Sequence, residues 1–405
     1  ISSLFGPWVG TDYTRASLHH VALFFRRNTL PGPPSPYLHL KTERPFVQGN
    51  MSKWLILKSP SNESWFDPWV IYLKTRGVNF KFETKLNKLE WDNNEMITYA
   101  EIETSTRALK KIKADYYVLA INPYVTKKIL DKTSSLLTDT ALSLFTPLTQ
   151  DSPHKQISFR IAFSEKIRLP EIETAIILVD SEFDITLFSQ DQLWHNDIYL
   201  GNKVKSLWSG TATVDSVKGK LYGLEMKYLT KNEFIEELKY QIKKSESFNE
   251  LIMMSNNGRK LSSFSVERIE VWHSWIFPEE GTSINDRQEI RDINPKWVNN
   301  SINYKYQPTA KTSIRNLYLA GAHTQTFADL YSMEAAVESG KRVADLITNN
   351  QKILPQHVPM AIIPFKMIDS ALYSMGLPNV VNVLIVIIIV IIIIILYRKF
   401  TEYKN

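Results

Sequence analysis

Residues 316–347 read NLYLAGAHTQTFADLYSMEAAVESGKRVADLI. A short apolar strand over 317–320 ends on a turn at Gly321, a polar loop follows, and a helix opens near Ser332. In such a unit the helix aims its N-terminus back across the carboxyl end of the strand. Unpaired backbone N–H groups and the positive pole of the helix dipole gather there, which suits an electron-rich ligand. The run Glu334, Ala335, Ala336 lets a flat ligand approach the first turn closely, while Glu338, Gly340 and Ala344 read as packing and surface positions.

This block resembles the C-terminal signature of the flavin-containing amine oxidoreductase superfamily, which includes monoamine oxidases, phytoene desaturases and squalene-type dehydrogenases. Its members carry L-Y-x-A-G-[DE] and then M-E-G-A-x-x-S-G-x-x-A-A. The matching residues are Leu317, Tyr318, Ala320, Gly321, Met333, Glu334, Ala336, Ser339, Gly340 and Ala344. The resemblance implies that Gly321 and the turn 333–336 hug the ribityl and pyrimidine end of FAD, with the dipole favouring negative charge near N1 and O2. Two departures from the pattern bear on the cofactor. Ala322 stands where the family has an acid, removing a hydrogen bond to the ribityl or pyrophosphate region, and Ala335 replaces the usual Gly.

At 405 residues the chain holds two domains, or one α/β domain with an inserted lobe. A net charge of +6, with basic residues spread among acidic ones, reads as solvated surface and gives no nucleic-acid groove. The absence of cysteine excludes disulfides, thiolate metal sites and a cysteinyl–flavin bond, and the FAD that the resemblance implies is expected to be non-covalent. No G-x-G-x-x-G occurs, although the superfamily begins with that pyrophosphate-binding unit. The chain is therefore expected to be a fragment without it, or a divergent form.

Residues 4–27 read as helix, and the pair His19, His20 lacks a third ligand, so no metal is expected. Residues 29–45 are Pro-rich loop. Over 62–89, Asp67 and Pro68 open a helix, Gly77 closes it, and an alternating strand over 78–84 follows. The spacing Thr84, Leu86, Leu89 resembles the superfamily's T-x-[VL]-x-x-[IL], which implies that the Leu86 backbone meets the adenine of FAD. Strands flank a polar turn at 92–94, and the run IKADYYVLAINP resembles the superfamily's strand returning to the dinucleotide sheet. The blocks near 117 and 317 are thus expected in one sheet, with a substrate lobe inserted between them.

The expected fold class is mixed α/β: a partial FAD-binding Rossmann-like domain, an inserted mixed-sheet lobe and a C-terminal transmembrane helix. The boundaries are 1–145 (FAD-domain part), 146–316 (lobe), 317–350 (FAD-binding strand and helix), 351–379 (linker, lying along an interface) and 380–397 (transmembrane helix). In the lobe, strands are read over 156–163, 174–180, 184–189, 205–213 and 268–277, with a helix over 231–244 opened by a capping box between Thr230 and Glu233. Phe183, Phe188, Trp194, Trp208, Trp272 and Trp275 either line an apolar pocket or form core. Residues 380–397 are almost wholly Val, Ile and Leu, which predicts a single-pass membrane anchor, with Arg398 and Lys399 beyond it. Asn50, Asn62 and Asn299 lie in N-x-S sequons.

The functional expectation is an FAD-dependent dehydrogenase or desaturase acting on a small apolar, isoprenoid or lipid substrate at a membrane. Amine oxidation ranks second, because Ser332 precedes Met333 where amine oxidases place an aromatic. A non-enzymatic descendant of the fold is the third reading. No motif compels a catalytic acid or base.

Overall fold

The computed structural model describes residues 15–17, 20–23, 57–92, 95–151, 153–169, 175–194, 200–213, 215–350, 363–378 and 380–404. Most of the helix read over 4–27, the Pro-rich segment 29–45, the Asn50 sequon and linker residues 351–362 lie outside them. His20 is buried edge-on to the ring of Tyr304 at 5.6 Å. The chain divides into a large unit extending to residue 353 and a small one from 354 onward.

In the large unit, a π-helical turn, Asn62–Phe66, runs directly into helix α1, Asp67–Thr75. Asp67 is therefore already helical and does not cap. Gly77 at φ +85° does close the helix, its N–H reaching Lys74 O at 3.0 Å. The strand expected over 78–84 begins only at Thr84. Strands β1 (Thr84–Trp91), β2 (Ile97–Thr104) and β3 (Leu109–Ile112) form an antiparallel meander whose bulges lie at Leu86/Lys88 and Glu90/Trp91. Strand β4 (Tyr117–Leu119) follows, and then helix α2 (Pro123–Asp131), capped by the Asn122 side chain.

The lobe is a five-stranded sheet. Its strands are β5 (Ile157–Phe163), β6 (Ile176–Ile177), β7 (Thr186–Ser189), β8 (Ser206–Ala212) and β9 (Val266–Val271), in the order β6-β7-β8-β5-β9. Every pairing is antiparallel, so the sheet is not mixed: alternation in the sequence located the strands but carries no direction. Helix α3 (Lys231–Lys244) has both halves of the expected capping box, and α4 (Glu246–Ser255) is capped by Ser245. Trp208, Phe183 and Phe234, all fully buried, fill the core between sheet and helices. The short pair β10 (Trp275–Ile276) and β11 (Arg291–Asp292) follows.

Strand β12 (Leu317–Leu319) then lies parallel to β4, Leu317 opposite Tyr117 and Leu319 opposite Leu119. The joining of two distant blocks in one sheet is thus realised. Asn316 fixes it: its buried carboxamide accepts from Ile97 N at 2.8 Å and donates to Ile97 O at 2.9 Å. Asp139 adds a second tie, capping Ala141 and Leu142 and accepting from both N and Oγ of Ser313 at 2.6 Å. Helix α5, Met333–Thr348, follows.

The small unit contains α6 (Ile363–Ser374) and α7 (Val380–Lys404), with Val380 N donating to Asp369 Oδ1 at 2.6 Å. The expectations of a transmembrane helix and of a membrane-anchored location are corrected here: among the described residues no helix is long and apolar enough to cross a membrane. Asn382 interrupts the apolar series, and the unbroken stretch 383–397 covers roughly 22 Å, short of a hydrocarbon core of ~30 Å.

Candidate functional site

The site starts from the conformation of one glycine. Gly321 has φ +125°, where side chains are strained, and a Cβ there would lie 2.6 Å from the imidazole of His323. Its N–H donates to Ser339 Oγ at 2.7 Å, and that hydroxyl donates onward to Ala336 O at 2.7 Å. Strand end and helix are thereby locked together within two turns of the helix start. The loop between them is held by Glu338, whose carboxylate accepts from Phe327 N at 2.6 Å and Ala328 N at 2.9 Å. Arg342 pairs with the same carboxylate at 2.7 Å and lies over the Phe327 ring. Tyr331 N donates to Asn299 Oδ1 at 2.7 Å, and Ser332 caps the helix through Ala335 N.

Of the residues expected to hold FAD, the fold brings most together. Gly321, Ala322 and Ala335 meet at the turn, where Ala322, Ala328 and Ala335 form a buried cluster of small side chains. Met333, Glu334 and Ala336 are exposed on the first turn of α5, Met333 by 62 %. Leu86 does not join them: it lies on β1 opposite Ile102, packed on the core that contains Leu317 and Leu319.

Sequence reading missed the aromatic wall behind the turn. His323 meets Phe145 edge-on at 5.6 Å and Trp297 at 6.3 Å, and Trp297 meets Tyr331 at 5.3 Å. Burial lowers the His323 pKa to about 4, so the ring is neutral, and it raises that of Tyr331. The Nε2 of His323 and the Nδ2 of Asn299 are buried with no hydrogen bond among the described residues. Beside Trp297, the Lys296 amine donates to Gln156 Oε1 at 2.6 Å, and burial lowers its pKa to about 8. No local motif brings these residues together, because their contacts join segments from 32 to 178 positions apart.

Residues 299–348 match the model of the flavin containing amine oxidoreductase family. That match covers 50 of the 405 residues. Two solved structures show a distant similarity to the chain. One is an oxidoreductase from Methanosarcina mazei, at 11% identity and TM-score 0.38, with 70% of this chain and 54% of that one covered. The other is a myxobacterial FAD-dependent chondrochloren halogenase, at 8% identity and TM-score 0.36, with 71% and 52% covered. The chain spans about half the length of either. No curated protein matches it.

The residues of the segment fit a flavin. Small side chains line the turn, the first helical turn is exposed, and two buried polar atoms lack hydrogen-bond partners among the described residues. The groups that would hold FAD are the turn at Gly321 and Ala322 and the start of α5 at Met333 and Glu334. Among the described residues no cluster of three His, Asp or Glu side chains could hold a metal ion.

Proposed function

We propose that the chain is part of an FAD-dependent oxidoreductase of the dehydrogenase type, holding its flavin non-covalently. One observation carries the reading: β4 and β12 lie in parallel register, so the turn at Gly321 leaves the carboxyl end of the sheet and α5 starts beside it. Bound FAD would accept a hydride equivalent from the substrate. This chain's residues set the surroundings: small side chains allow close approach, the helix start favours an electron-rich edge, and the aromatic wall keeps water out. The open face of the β5–β9 sheet, where a cavity of about 650 Å³ lies, is the proposed substrate wall. Dehydrogenation is favoured over amine oxidation because Ser332 stands before Met333, where the amine oxidases of the superfamily place an aromatic.

Titrating the purified protein with FAD tests the proposal. Saturable quenching of flavin fluorescence, with a perturbed visible spectrum, is expected. Unchanged free-flavin spectra at every protein concentration would remove it.

A further inference from the structure

The register of the lobe sheet builds the floor of its cavity from two rows. In the first, Phe188 pairs with Ser209, Ser209 with Arg160, and Arg160 with Glu270. In the second, Thr186 pairs with Thr211 and Thr211 with Ser158, whose carbonyl accepts from Trp272 N at 3.1 Å. Directly paired residues share a face, so both rows point to one side of the sheet. Aromatic side chains thus stand at opposite corners, hydroxyls lie between them, and one guanidinium sits inside the first row. Thr186 on this face is buried, and its hydroxyl has no hydrogen-bond partner among the described residues.

The charges are unevenly matched. Glu270, the residue opposite Arg160, is engaged by Arg268 instead, at 3.1 Å. Among the described residues no hydrogen bond or ion pair involves the side chains of Arg160 or Lys231, both of which line the cavity. The one lining carboxylate is therefore neutralised from outside, and two lining cations are not. A guanidinium flanked by hydroxyls matches an oxyanion, which it engages through a two-pronged donor geometry.

We infer that this cavity is an oxyanion site, and that its ligand is a small carboxylate with an aromatic or ring-shaped body. Arg160 takes the carboxylate and Phe188 and Trp272 flank the body. As the substrate class of the enzyme, this rests on the function proposed above; as a binding site, it stands without it.

The test compares 2-naphthoate with its uncharged counterpart 2-naphthamide on the purified protein, by isothermal titration calorimetry. The wild type should bind the acid at least about tenfold more tightly than the amide, a difference worth about 1.4 kcal/mol. Arg160→Gln should erase that preference while leaving amide binding unchanged. Arg268→Gln, which releases Glu270 toward Arg160, should weaken acid binding, and Glu270→Gln should strengthen it. All three side chains are exposed, so the folded state survives each change. Equal affinity for acid and amide in the wild type, or a preference that persists in Arg160→Gln, overturns the inference. Failure of FAD to bind, with the acid preference intact, overturns the flavin reading and leaves the site.

Discussion

The turn at Gly321 and the open face of the lobe sheet sit in one folded unit and are built on opposite principles. At the turn, the proposed recognition is written in backbone: a left-handed glycine, alanines without reach, backbone N–H groups donating to Glu338 and Ser339 at 2.6–2.9 Å, and a neutral imidazole sealed among aromatic rings. On the sheet face it is written in side chains that stand in water on a register fixed elsewhere. A backbone-built site has little slack, because every atom is also part of the core. A side-chain site on a finished sheet can be altered with little loss of stability.

That contrast can be broken first at two glycines. Gly321→Ala meets both the imidazole at 2.6 Å and a disallowed φ, and should cost about 4 kcal/mol by urea denaturation. Gly210→Ala on β8 meets only Phe159 and Leu187 side-chain atoms and has no backbone strain, so about 2 kcal/mol is expected. Equal losses would erase the distinction.

Acid sharpens it next. His323 folds as the neutral ring, with its pKa brought from near 6.5 to about 4 by burial. Its stabilising share is complete above pH 6.5 and is lost as the pH falls toward 4, about 3 kcal/mol in all. His323→Gln should flatten that part of the pH–stability curve, while Arg160→Gln should leave it as in the wild type. His154, brought to about 3 by burial and then by Arg15, Lys296 and Lys155, supplies a second acid-sensitive group that both variants retain.

Smaller effects rank the remaining ties. Glu338→Ala removes the carboxylate to which Phe327 N and Ala328 N donate and should cost about 2 kcal/mol. Lys296→Met should stabilise at pH 7 by about 2 kcal/mol, because a largely desolvated ammonium, hydrogen-bonded to Gln156, is replaced by an apolar chain. That gain should shrink as the pH rises from 8 toward 10.5, where the unfolded amine also loses its charge. Thr230→Ala removes the α3 cap, for about 1 kcal/mol. Arg160→Gln should change thermal stability by no more than about 0.5 kcal/mol.

Much of the fold was legible because it is encoded locally. The capping box of Thr230 and Glu233 placed α3, Ser332 opened α5, and apolar runs located β4, β5, β8 and β12. The flavin signature could be read because it is a backbone pattern of small residues at fixed spacing, and a pattern of that kind survives in one dimension. Local reading failed where two local preferences competed. Asp67 and Pro68 look like a helix start, yet the preceding turn is already helical, and the alternation over 78–83 does not pair as a strand.

The sequence alone determined that a strand, a glycine turn and a helix resembling the flavin-oxidoreductase signature occur at 317–347, and that these 405 residues offer no thiol. Only the tertiary structure decided which side chains surround that turn. His323, Phe145, Trp297 and Asn299 come from segments up to 178 positions apart, and their burial and lost hydrogen bonds exist only once those segments meet. It also decided that Arg160 faces a cavity beside an already engaged Glu270, since strand direction and register depend on long-range pairing that residue order does not carry.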